Sequence, residues 1–219
     1  VTFAVPSKSQ KDFLGSAAAQ YAADLAVHGA AQAWLMKRAL SEASARSFQL
    51  GVVANPLPSH EQYRGRLAIP YLTLSGVCGM AFRCLESHDC KEAHGGTKYL
   101  YSKGDSRRMF NTPALDTQSP WIAICEGEMD TIAATQAGVP AVGVPGVTNW
   151  QRYWARCFKG FDTVYILADA DDVGQGSEMA KKIESHVPQA RTILMPQGHD
   201  VNSLIIEQGP EALIARIGA

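Results

Sequence analysis

Apolar residues recur at spacings of three and four through the first fifty or so residues, then give way to short β-type runs. Phe13, Ala17, Tyr21, Ala22 and Leu25 fall on one face of a helix. His28-Gly29 breaks it, a second helix runs near Ala31–Ala39, and Ser41 caps a third that ends before Gly51. From Arg66 the pattern changes. Arg66–Thr73 and Val77–Cys84 read as strands joined by a hairpin at Leu74-Ser75-Gly76. Leu85–Thr97 is polar and reads as a loop, and Lys98-Tyr99-Leu100-Tyr101 as a further short strand. Asn111–Pro120, with two prolines among Asp, Thr and Ser, is the expected boundary.

After that boundary strands and helices alternate. Trp121–Cys125, Ala141–Val144, Thr163–Ala168 and Arg191–Met195 read as strands. Helices are expected at about 129–137, 150–158, 175–186, 201–208 and 210–217. Such alternation predicts a mainly parallel sheet covered by helices. The fold class expected is therefore α/β, or α+β overall, with a helical and β-hairpin subdomain over residues 1–115 and the layered sheet over 116–219. Ligands in such sheets bind at the carboxyl ends of the strands.

Composition changes this picture little and charge changes it more. The net charge is −1, yet residues 1–115 carry 13 Lys and Arg against 8 acids, and residues 116–219 carry 7 against 13. A basic half joined to an acidic half suits a site that handles both phosphates and divalent cations. No run approaches the ~18 apolar residues of a membrane span. The segment from Val1 to Lys11 has no signal-peptide pattern. The five cysteines, without a CxxC pair, read as reduced thiols in a cytoplasm.

Two segments place acids at strand ends. In Ile124-Cys125-Glu126-Gly127-Glu128-Met129-Asp130, Glu126 ends an apolar strand, Gly127 permits a tight turn and Asp130 enters the next helix. In Ile166-Leu167-Ala168-Asp169-Ala170-Asp171-Asp172, Asp169 and Asp171 are two apart in an extended stretch and project to the same side. Clustered carboxylates repel unless a cation or proton relieves them. Oxygen-only donors favour Mg²⁺ or Mn²⁺ over zinc. Glu126 is a further ligand or a general base on this reading. Glu128, Asp130 and Asp172 also suit helix amino termini, where the dipole favours acids.

These segments resemble the Toprim domain of bacterial-type primases, topoisomerases and some nucleases, marked by Glu-Gly after one strand and Asp-x-Asp after a later one. Arg64-Gly65-Arg66-Leu67-Ala68-Ile69-Pro70, Gly76-Val77-Cys78-Gly79-Met80-Ala81-Phe82-Arg83, Lys98-Tyr99-Leu100 and Phe48-Gln49-Leu50-Gly51 are similar to the amino-terminal part of the bacterial primase polymerase core. Gly198-His199-Asp200-Val201-Asn202-Ser203-Leu204 is similar to a segment of phage-type primases. The family's Asn after Lys-Tyr-Leu is Tyr101 here. The resemblance implies metal-dependent synthesis of RNA primers on a single-stranded DNA template from ribonucleoside triphosphates, in a bacterial or phage-infected cytoplasm, beside a replicative helicase. It implies catalytic and metal-binding roles for Glu126, Asp169 and Asp171, support from Asp130, and nucleotide or template contacts from Arg66, Arg83, Lys98 and Tyr99. A Toprim nuclease using the same acids, and a nucleic-acid-binding protein without turnover, are the alternatives.

The loop before Lys98 holds Cys84, His88, Cys90 and His94, donors that suit zinc. Their spacing matches no common finger, so coincidence in a polar loop is the favoured reading.

Overall fold

The computed structural model describes residues 5–94, 96–102, 108–146, 149–170 and 175–218, without the side chains of 94 and 175–177. It divides into two units, Val1–Lys37 with Ser41–Ser106, and Arg38–Leu40 with Arg107–Ala219.

The first unit begins with α1 (Lys8–Val27). Ser7 and Gln10 form a capping box, each side chain accepting from the other's backbone N–H. The helix buries Leu14, Ala17, Ala18, Tyr21 and Leu25. The expected stripe is thus turned slightly, with Phe13 and Ala22 at its half-buried edges. β1 (Gly51–Val52) packs against this helix so closely that a Cβ on Gly51 would lie 2.5 Å from the Tyr21 backbone. α2 (Gly29–Lys37) follows the break at His28, and Ser41 caps α3 (Glu42–Ser47) by accepting from the Ser44 amide.

β2 (Leu67–Thr73), β3 (Gly76–Arg83) and β4 (Tyr99–Tyr101) complete an antiparallel sheet in the order β1-β2-β3-β4. The hairpin closes at Thr73↔Gly76, with a register shift between Tyr71 and Leu72. The expected loop between β3 and β4 contains a short helix, α4 (Cys90–His94). Asp89 starts it, its Oδ1 accepting from the amides of Lys91 and Glu92. Five residues are too few to show a helical period, so the pattern did not announce it.

Beneath this sheet His60 is 4% exposed, ringed by Phe13, Tyr21, Tyr63 and Phe82. Tyr63 and Phe82 stack with centroids 3.7 Å apart. The Tyr21 hydroxyl accepts from the Leu57 amide and lies 2.9 Å from His60 Nδ1.

The second unit is a parallel sheet in the order β6-β5-β7-β8: β5 (Trp121–Cys125), β6 (Ala141–Gly143), β7 (Thr163–Ala168) and β8 (Ala190–Leu194). Its helices are α5 (Glu128–Gln136), α6 (Gln175–Glu184), α7 (Val201–Gln208) and α8 (Pro210–Ile217). Ile122, Ile124, Val142, Ile166, Trp150, Trp154 and Phe158 are among its core residues. The helix expected near 150–158 is a 3₁₀ segment, Arg152–Phe158. The Asn111–Pro120 stretch folds within this unit, with Asn111 in the left-handed region and donating to the Ala141 carbonyl. Within it Thr112–Asp116 is a 3₁₀ helix with Pro113 at its start. No described helix is long and apolar enough to cross a membrane.

Burial holds the His60 pKa below its ordinary value, with Glu61 opposing in part. Unfolded histidine titrates near ~6.5, so the stability contributed by neutral His60 is complete above about that pH and is lost as pH falls through the lower folded value. Thermal melts from about pH 7 to about pH 5 should therefore show a steeper loss for wild type than for His60→Gln. Parallel profiles would contradict this role.

Candidate active site

β5 and β7 are neighbours with Cys125 paired to Leu167, so the residues just past their carboxyl ends come together. Glu126 follows β5 and Asp169 follows β7. The Asp169 amide donates to Glu126 Oε1 at 2.9 Å, so the first strand's acid caps the end of the second. Both side chains are half-buried. Glu128 and Asp130 lie in the first turn of α5 and are 2% and 9% exposed.

The field of these acids registers on Cys125. Burial pushes its thiol well above the ordinary range, and the carboxylates of Asp130, Asp169 and Glu126 push the same way. Asp130 is held from a second direction, its Oδ1 accepting from the amide of Asn202 at the start of α7. Asn202 is 1% exposed and exchanges hydrogen bonds with Arg38, its Nδ2 to the Arg38 carbonyl and its Oδ1 from Arg38 Nη1. Asn202 and Arg38 had no role assigned from the sequence. The signal for Asn202 lay in the Gly198–Leu204 segment, but no spacing rule links it to Asp130.

Glycine sets the turn geometry. A Cβ on Gly143, the last residue of β6, would lie 2.6 Å from Thr131 Oγ1 and 3.3 Å from the Gly127 carbonyl. Thr131 already donates to that carbonyl at 2.7 Å. The Glu126-Gly127 turn is thus wedged between α5 and β6. Oxygen donors in this setting suit a hard divalent cation. Asp171 lies outside the described residues, and the described acids alone form no group of three donors within 4.8 Å.

A Toprim-like family model matches residues 123–205, which span both acid-bearing turns. The Gene 57 protein of Mycobacterium phage D29 is 43% identical over 160 residues, 71% of this chain and 99% of that protein. The DNA primase of Pseudomonas putida is 31% identical over 167 residues, 72% of this chain. The RNA polymerase domain of Mycobacterium tuberculosis primase DnaG, solved with a double-stranded DNA oligomer bearing a 6-nucleotide overhang, superposes with a TM-score of 0.76. That match covers 98% of this chain and 81% of the other at 21% identity. The chain belongs to the family of primase-type cores with a Toprim domain. It spans 25% of the Pseudomonas primase's length.

In this primase-type core the four expected nucleotide or template residues lie in the first unit and differ in setting. Lys98 is exposed. Arg66 is half-buried and donates to the carbonyls of Thr97 and Lys98. Arg83 is 4% exposed, its guanidinium 5.1 Å from the Trp34 ring and 5.0 Å from the Tyr99 ring, with Nη1 donating to the Tyr99 hydroxyl. Arg83 Nε is buried with no hydrogen-bond partner among the described residues, a cost that the two ring faces offset in part. Burial sets Arg83 apart from Arg66 and Lys98, and sequence alone does not separate an arginine on a strand face from one under aromatic rings. Of the expected zinc donors, Cys84, His88 and Cys90 come together. The His94 side chain lies outside the described residues.

Gly143→Ala should lower stability by about 1–3 kcal/mol, the usual cost of overpacking. Adding Thr131→Ala should restore part of it in urea denaturation. A neutral Gly143→Ala would show that the wedge does not hold the turn.

Proposed function

We propose that this primase-type core synthesises short RNA primers on single-stranded DNA, with Glu126, Asp169 and Asp171 as its catalytic and metal-binding acids. The observation that carries the reading is the joining of Glu126 to Asp169 at the carboxyl ends of neighbouring parallel strands, in a chain of this family. The DNA oligomer on the mycobacterial relative supports a nucleic-acid template.

In the proposed reaction the 3′-hydroxyl of one nucleotide loses its proton and its oxygen bonds to the α-phosphorus of a ribonucleoside triphosphate. The bond from that phosphorus to the bridging oxygen breaks, and pyrophosphate leaves. A bound Mg²⁺ or Mn²⁺ neutralises phosphate charge and lowers the pKa of the attacking hydroxyl. Glu126, Asp169 and Asp171 would hold it, with Glu126 acting as a ligand or taking up the proton. Asp130 keeps the base of the turn in place through Asn202. Arg66 and Lys98 contact phosphates, and Arg83 positions the Tyr99 ring on which a base can stack. Catalysis of this kind is mostly orientation and charge stabilisation. Delivery of the core by a replicative helicase in the cytoplasm completes the reading.

Labelled ribonucleotides should be incorporated on single-stranded DNA with Mg²⁺ or Mn²⁺ by wild type. Asp169→Asn and Glu126→Gln should each lose about 10²-fold or more. Full synthesis by either variant would remove that residue from the mechanism. Nicking of DNA under Mn²⁺ without nucleotides, and no primers, would replace this reading with a Toprim nuclease. Metal-independent DNA binding as the sole activity, unaffected by Asp169→Asn, would replace it with a binding module.

A further inference from the structure

The segment joining β3 to β4 gathers three soft donors that the primer-synthesis reading does not use. Cys84 directly follows β3 and Cys90 opens α4, with His88 between them. One donor atom from each lies within 4.8 Å of the other two. Cys84 Sγ is 3.7 Å from His88 Nε2. Zinc–sulfur and zinc–nitrogen bonds of about 2.3 and 2.0–2.1 Å on a tetrahedron separate S from N by about 3.6 Å. The observed spacing is itself that of a sulfur–imidazole hydrogen bond, and it also matches that of two ligands sharing one ion.

The imidazole is also oriented as a ligand. Its Nδ1 lies 3.0 Å from Glu86 Oε2, leaving Nε2 toward the sulfurs. A carboxylate behind a histidine is the usual outer partner of a zinc-bound imidazole, fixing its tautomer and its direction. The backbone holds the two cysteines independently of any ion, with the Cys84 amide donating to the Lys98 carbonyl and the Gly96 amide to the Cys90 carbonyl. Cys90 is 6% exposed, while Cys84 and His88 are half-buried.

We propose that Cys84, His88 and Cys90 bind one zinc ion, which staples the segment between β3 and β4 and fixes the strand that begins at Lys98-Tyr99. Two thiolates and an imidazole select zinc over the hard cations proposed for the acidic site. Zinc binding releases the thiol protons, and the fourth position is filled from outside these three residues. The rival accounts of the same closeness are a Cys84–Cys90 disulfide and a metal-free cluster of thiols and imidazole.

The test is cobalt(II) titration of the reduced full chain followed by displacement with zinc, with no activity measured. Wild type should show thiolate-to-cobalt charge-transfer absorption and tetrahedral d–d bands saturating at one ion per chain. Cys84→Ser, Cys90→Ser and His88→Ala should each abolish saturation in that range, and Glu86→Gln should weaken binding about 10-fold. Cys78→Ser and Cys157→Ser should leave the spectrum unchanged. Absence of charge-transfer bands in wild type, or their survival in Cys84→Ser, would overturn the site. Alkylation of the native wild type read by mass spectrometry does not depend on how the variants fold. Zinc should protect Cys84 while exposed Cys157 reacts, whereas equal labelling with and without zinc, or a purified chain whose zinc-free form holds a Cys84–Cys90 disulfide that reduction does not convert to a zinc-binding form, would overturn the proposal.

Discussion

The second unit depends on how its sheet ends. β5 and β7 run parallel and side by side, and where the ladder stops the Asp169 amide still needs an acceptor. Glu126 Oε1 supplies it. One hydrogen bond thus ties the Glu126 side chain to the backbone at the end of the neighbouring strand. The cost is negative charge accumulated next to a buried thiol. The divalent cation proposed for this site would relieve that cost, so the same contact would serve both folding and metal binding. The Gly143 wedge and the Asn202–Asp130 contact secure the turn from two sides.

Much of this was legible in the sequence because the signals were local. Apolar strands ending in Glu126-Gly127 and at Asp169 announced both the parallel sheet and the edge where those two acids meet. Strand–helix alternation fixed the layer type, and Ser7 and Ser41 marked helix starts. The α1 stripe was read slightly off its true face, since Leu14 and Ala18 are buried while Phe13 and Ala22 are half-buried, a tertiary outcome that spacing cannot show. α4 was too short for periodicity. The Asn111–Pro120 turns had the composition of a linker, yet Asn111 bonds into β6. Asn202 and Arg83 owe their settings to contacts distant in sequence, so their residue types alone did not disclose them.

The two proposed ions would be kept apart by donor type. The described acids at the edge of the second unit offer hard oxygens, whereas the β3–β4 segment of the first unit offers sulfur and imidazole nitrogen. On the proposed reading, ligand softness would sort Mg²⁺ or Mn²⁺ to the first and zinc to the second. Nearby, Arg83 spends a buried charge on two aromatic faces to hold Tyr99 beside the exposed Lys98.

The central claim, that the joined acids form a divalent-cation site, is tested most directly by Mn²⁺ binding followed by electron paramagnetic resonance in the full chain. Wild type should bind Mn²⁺ with Mg²⁺ as a competitor, and Glu126→Gln with Asp169→Asn should remove that binding while leaving the circular dichroism spectrum unchanged. Equal Mn²⁺ binding by the wild type and the folded double variant would contradict the account.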